Sequence, residues 1–178
     1  MDTYDAIVRK RDQRAFTGEP IPEEAMHRIL QAARMTGSSK NVEPNRFVLV
    51  RDRQRLEEIA SIPGMAKWMG RAAAAVVIVQ TQKHEFDAGR CAQNMMLAAW
   101  NEGIGSCPAH INEQKLGEML GIPEGLSINR VIGLGYVDPA RSGPPPAVAR
   151  KRLPLEELVH EETWRDRQVG RSPDFSTS

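Results

Sequence analysis

The stretch Ala74–Gln80, reading AAVVIVQ, constrains this chain more than any other. It runs apolar and β-branched without a polar residue until Gln80, so it lacks the alternation of a strand with one wet face. A strand of that kind is buried on both sides and needs a layer of structure against each. The rest of the chain supplies the layers. Tyr4, Ile7 and Val8 recur at helical intervals and predict a short helix over Thr3–Lys10. Pro22 opens a second helix at a position where its missing N–H costs nothing, and Met26, Ile29, Leu30 and Ala33 share one face of it. Further helices are predicted over Gln54–Ala60, Phe86–Asn101, Asn112–Leu120 and, as a short turn, Leu155–Val159. Strands are predicted at Phe47–Val50 and Asn129–Gly135, so three strands are identified, with room for a fourth from another segment or another chain. The pattern fits a compact α+β domain or a three-layer α/β domain.

The longest helix carries Ala88, Ala92, Met95, Met96 and Ala99 on a wide face of small and flexible side chains. That face suits either the core or a seam between subunits. Gly143–Pro146 and Pro154 punctuate an irregular stretch, and the polar end beyond Trp164 is expected to be mobile or packed on a partner.

Charge and cysteine usage exclude several functions. Lys and Arg number 24 against 23 Asp and Glu, a net charge of +1, where a general nucleic-acid binder would be clearly basic. Aromatic residues are 5% of the chain, which implies a core of aliphatic side chains and Met. Cys91 and Cys107 are too few for a disulfide scaffold and form no metal-ligand cluster, which fits a reducing cytoplasm. The N-terminal residues lack the apolar stretch of a signal peptide, and Ala72–Val79 is far shorter than the roughly 20 residues of a membrane helix. The sequence holds no HExxH, CxxC, Walker A or GxSxG pattern. It does hold two basic clusters, Arg9-Lys10-Arg11 with Arg14 and Arg150-Lys151-Arg152, which together could clamp one anionic group. The loop Gly37–Asn41 has small residues and hydroxyls that would let a planar ligand approach the backbone. Trp68 and Phe86 suit either core packing or an aromatic-lined pocket, and Cys107 suits a small buried hydrophobe.

The order of these pieces resembles the FMN-dependent nitroreductase family. Lys10-Arg11-Asp12-Gln13-Arg14-Ala15-Phe16 resembles the family's opening Arg-Arg-Ser-x-Arg-x-Phe, and Ser38–Pro44 resembles its Ser-x-x-Asn-x-Gln-Pro loop. Asp87-Ala88-Gly89, Gln93-Asn94-Met95 and Leu97-Ala98-Ala99 resemble its long central helix. Gly103–Cys107, Gly133–Tyr136 and Arg150–Leu155 complete the series. The resemblance implies a three-layer α/β/α sandwich with a mixed, mostly antiparallel sheet, in an intertwined homodimer whose seam is the long helix. It implies one FMN-binding domain over residues 1–164 and a tail over 165–178. It also implies hydride transfer from NADH or NADPH to flavin N5, then electron transfer to a nitroaromatic, quinone or related small acceptor in ping-pong fashion. A specialised flavin enzyme of the same family (reductive dehalogenation or flavin fragmentation) and a flavin-binding module without turnover are the alternatives. The short stretches Leu56–Ala72 and Gln80–Asp87 leave no room for the lid of the specialised branches.

By this resemblance Lys10, Arg11, Arg150 and Arg152 hold the FMN phosphate, and Arg14 lies at the N1/O2 edge of the flavin and favours its reduced form. Ser38, Ser39 and Asn41 touch the flavin from the second subunit. Pro108, Ala109, His110 and Ile111 form the segment past flavin N5. Asp12 stands where the family has Ser, Gly37 where Pro is common, Glu43 where Gln is usual and Asn45 where Trp is usual. Asp12 would repel a phosphate unless paired, so it is expected to turn toward Arg9, Arg11 or another cation.

Overall fold

The structure is a computed structural model that describes residues 2–110, 112–142 and 152–164. Ile111, Arg150, Lys151, the Gly143–Pro146 stretch and the tail 165–178 lie outside the described residues. The chain divides into two compact units, Met1–Gly143 and Pro144–Ser178. In the first unit the elements run α1 (Thr3–Arg9), α2 (Glu23–Arg34), β1 (Asn45–Val50), α3 (Arg53–Ser61), β2 (Ala74–Gln80), α4 (Glu85–Asn101), β3 (Gly105–Ala109), α5 (Glu113–Leu120) and β4 (Ser127–Gly135). Single 3-10 turns lie at Ser39–Asn41 and Lys67–Arg71. The second unit shows α6 (Leu155–Leu158) and a stack of His160 on Trp164 with ring centres 4.2 Å apart.

All four strands pair antiparallel in the order β1-β2-β4-β3. The predicted central strand sits second in the sheet, and every one of its residues is buried. The fourth strand comes from the same chain, at Gly105–Ala109. Its short length and its Pro108 hid it, because proline cannot donate to a ladder. At the edge of the sheet one side of the strand needs no donors, so Pro108 is tolerated there. The parallel component of the expected mixed sheet is a single bridge, Asp12 to Ser106.

The two faces of β2 define two cores. Val76 and Ile78 pack with α2 and α4, together with Met26, Ile29, Met95 and Leu134. Ala75, Val77 and Val79 pack with α3, α5 and the Lys67–Arg71 turn, together with Leu56, Met69 and Leu116. Phe16 is the one aromatic ring among the largest fully buried side chains, and the Met-rich core follows the composition. The Ala/Met face of α4 belongs to the first core: Ala88, Met95 and Ala99 are fully buried within their own subunit. That face is therefore not free to form a seam, contrary to the reading that the resemblance favoured. Any seam on α4 must use its other side.

Local signals set the ends of these elements. Asp52 accepts from Arg55 N at 2.9 Å and Asn112 from Lys115 N at 3.3 Å, satisfying donors that the first turns leave open. Gly121 closes α5 at φ 66°, where a side chain would be strained. In β4, Ile128 pairs with Val79 and Arg130 with Ile78, which leaves Asn129 as a bulge. Among the described residues, no helix is long and apolar enough to cross a membrane, and no group of three His, Cys, Asp or Glu is placed to hold a metal.

Candidate functional site

The N-terminal basic segment lies along the edge of the sheet. Gln13 N donates to Ser106 O at 3.0 Å, and Thr17 N donates to Tyr136 O at 3.0 Å. These bonds carry Lys10–Arg14 past β3. The Lys10 ammonium contacts the Asp12 carboxylate and lies 3.5 Å from Met96 Sδ on α4. The lysine side chain is 7% exposed, so Asp12 is its charge partner in a half-closed setting. The Arg11 Nη1 donates to Val8 O at 2.7 Å and to Lys10 O at 2.9 Å. It thereby satisfies carbonyls at the C-terminal end of α1, where a cation is favoured. Its remaining guanidinium donors can still meet an anion.

Successive side chains of a strand face opposite ways. Ser106 and Pro108 accordingly share the α4 side of β3, while Ala109 turns its methyl into the opposite core at 2% exposure. Ser106 Oγ is buried without a hydrogen-bond partner among the described residues. Beside Pro108 opens a cavity of about 630 Å³, lined by Gly89, Ala92 and Met96 of α4 and by Ile128, Asn129 and Arg130 of β4. Ser127, Lys83 and the carboxylates Glu85 and Glu113 complete its lining. The volume lies within the roughly 300–1,000 Å³ of small-molecule sites. His110 is exposed at the end of β3. Burial pushes the Cys107 thiol up from its ordinary value, with Arg14 and Lys10 opposing the rise and Asp12 adding to it. Cys107 is fully buried, as expected of a small hydrophobe.

The second predicted group, Ser38, Ser39 and Asn41, sits in a loop held against the start of α4. Ser39 N donates to Asp87 Oδ2 at 3.0 Å, and Glu43 N donates to Ser38 Oγ at 2.9 Å. Lys40, Asn41 and Glu43 all have left-handed backbone, at φ 51°, 55° and 47°. Strain of this kind persists only where surrounding contacts impose it. The departures from the family pattern have local partners. A Cβ on Gly37 would come within 3.3 Å of Arg90 Nη2, and Asn45 Oδ1 accepts from Gln80 Nε2 at 2.9 Å. Met96, beside Lys10, and Asp87, beside Ser39, are nine residues apart on α4, about 14 Å at helical rise. The phosphate-type group and the loop group are therefore separate within one subunit. Arg152 is exposed in the second unit, while Arg150 and Ile111 lie outside the described residues.

Asp87 and Ser106 stand in the motifs that carry the resemblance but were assigned no site role by it. Asp87 carried a signal, since it falls four residues before Cys91 and eight before Met95, on the buried stripe of α4. Trp68 packs into the core with its ring edge toward Phe16 at 5.8 Å, whereas Phe86 is 78% exposed with the Arg90 guanidinium 5.7 Å from its ring centre.

A four-stranded antiparallel sheet with helices packed on both faces is the architecture of a three-layer α+β protein. The Nitroreductase family description matches residues 7–85 and 63–136, and the chain belongs to that family. It is 31% identical to a protein of Archaeoglobus fulgidus provisionally named NADH dehydrogenase/NAD(P)H nitroreductase, over 73% of this chain and 82% of that one. It is 27% identical to the NADPH-flavin oxidoreductase of Vibrio harveyi, over 93% of this chain and 75% of the relative. Among solved structures, nitroreductase A from Vibrio parahaemolyticus superposes with a TM-score of 0.76 at 27% identity, covering 95% of this chain and 80% of that one.

Proposed function

We propose that this protein is an FMN-dependent oxidoreductase using NADH or NADPH as donor and a nitroaromatic, quinone or related small molecule as acceptor. The observation that carries the reading is the convergence of Lys10, Asp12 and the orphaned Ser106 hydroxyl on the α4 side of β3, next to the cavity at Pro108. Family membership and the names of the relatives, one of them an FMN reductase (NAD(P)H) from Bacillus subtilis, support it. Two features suit the cofactor: the buried Ser106 hydroxyl lacks a partner among the described residues, and the guanidinium of Arg11 has donors to spare.

FMN, when bound, would supply the redox chemistry, accepting hydride from the nicotinamide and passing the electrons to the acceptor. The protein supplies position and field. Arg11 and Arg152, with Arg150, hold the phosphate, and Lys10 contributes the charge that Asp12 does not neutralise. Arg14 would supply positive charge at the N1/O2 edge of the flavin and so favour its reduced form. Pro108, Ala109, His110 and Ile111 offer backbone along the flavin edge. Ser38, Ser39 and Asn41 close the site from the second subunit, a role consistent with their distance from Lys10 along α4. The active form is a homodimer. Its formation would cover α1, where Tyr4, Ile7 and Val8 are 71%, 54% and 43% exposed. Residues 1–164 act as one flavin-binding domain, and two unpaired buried cysteines suit a cytoplasmic setting.

The test is the visible spectrum of the protein mixed with FMN and then titrated anaerobically with NADH and NADPH. Bleaching of protein-bound flavin is expected, and the faster donor is the preferred one. Bound flavin that never bleaches would make the protein a flavin-binding module, and no bound flavin would reduce the resemblance to one of fold.

A further inference from the structure

We infer that Asp87 is a positioning residue for the flavin-contacting loop, acting through the backbone N–H of Ser39. The inference rests on the assignment of Ser38, Ser39 and Asn41 to flavin contact. Asp87 is 3% exposed, a degree of burial that carboxylates rarely reach unless paired. Three features allow it. It lies in the first turn of α4, where the free N–H groups and the helix dipole favour negative charge. One cation stands off at intermediate range, Arg90 Nη1 at 3.7 Å, and the His84 ring lies beside the carboxylate with Nδ1 at 3.8 Å. Its shortest polar contact among the described residues is none of these but the Ser39 amide at 3.0 Å, 48 residues earlier in the chain.

That contact joins α4 to a loop whose other hydrogen bonds among the described residues lie within itself, as from Asn41 N to Ser38 O and from Glu43 N to Ser38 Oγ, or at its far end, from Arg46 to Glu43 O and from Thr81 to Pro44 O. Lys40, Asn41 and Glu43 sit in left-handed conformations that cost free energy in non-glycine residues, and Ser38 is spent bonding Glu43 within the loop. A charge-assisted bond from a carboxylate fixed in a rigid helix ties the Ser39 end of the loop to α4. Ser39 N–H is thereby occupied, so the loop presents the hydroxyls of Ser38 and Ser39 and the amide of Asn41 in one arrangement before any ligand arrives. Such preorganisation lowers the cost of binding.

The experiment compares Asp87→Asn and Asp87→Ala with the wild type by amide hydrogen exchange of Ser39, by titration with FMN and by the visible circular dichroism of the bound flavin. Asparagine keeps an acceptor but loses the charge, so graded effects are expected. Ser39 exchange should accelerate in both variants, more in the alanine variant, while amides of β2 and β4 keep their rates. FMN binding should weaken roughly tenfold in the alanine variant, the loss typical of one hydrogen bond to a charged group, with partial rescue by asparagine. The bound-flavin dichroism should change shape. Unchanged Ser39 exchange in both variants would overturn the tether. Faster exchange with unchanged FMN affinity and dichroism would overturn the positioning role. Wild-type protein that binds no FMN would overturn the functional reading instead, and the exchange data would still decide the tether.

Discussion

The ammonium of Lys10 is held against the carboxylate of Asp12, two residues away, and is screened from solvent by Met96. A basic cluster that looks available for phosphate in the sequence is thus partly neutralised by its own neighbour. The Asp12 backbone is pinned to Ser106 by a bridge, which keeps the carboxylate near the lysine.

Replacing Asp12 by Ser should free Lys10 and tighten FMN binding by about two- to fivefold, the scale of one partly exposed ion pair. Riboflavin, which lacks the phosphate, should bind as before. Fluorescence-quenching titrations with both flavins read the difference. Equal gains for both would place the phosphate elsewhere.

Arg14→Ala and Arg152→Ala should separate two roles. The first should keep FMN and slow its reduction, because the charge at N1/O2 acts on the reduced form. The second should release FMN more readily and leave the reduction rate of bound flavin near normal. Dialysis followed by anaerobic stopped-flow reduction gives both quantities, and equal FMN loss in the two variants would refute the division.

Gly133→Ala should destabilise the fold. The added Cβ would stand 2.5 Å from Trp68 Cζ3 and 3.0 Å from Met69 Sδ, inside a packed core. Overpacking of this kind costs about 1–3 kcal/mol. The melting temperature should fall by several degrees, roughly 2–4 °C per kcal/mol for a chain of this size. An unchanged melting temperature would mean that Trp68 can leave its place without penalty.

The two thiols should resist alkylation in the native state. Burial pushes Cys91 up from 9.0 to about 11 and raises Cys107 as well. At pH 8 iodoacetamide should label both only after denaturation. A raised folded-state value means that the native form holds its proton more tightly, so Cys91 costs no stability below about 9 and lowers stability as the pH climbs from about 9 to about 11. Denaturant midpoints measured across that range should fall, and should fall less in Cys91→Ala.

Most of the secondary structure was legible because its signals are local. The β2 boundaries were read directly from an apolar run, and helix spacing located five helices in the first unit. The edge strand β3 was missed because its stability comes from pairing with β4, which no residue within it announces. The same holds for the site. The cations and the serine loop stood out as residue types in order along the chain, but Asp87 counted only as part of the long helix's motif, with no role of its own. Only folding brings its carboxylate to the Ser39 amide.

The amino-acid pattern alone determined the two-sided burial of β2, the layered class and the candidate ligand-binding segments, since each follows from short-range periodicity and residue chemistry. The tertiary structure decided which cation is already neutralised, which face of α4 is core and which carboxylate orders the loop. Those outcomes depend on contacts between residues far apart in the chain, whose partners the order of the sequence does not name.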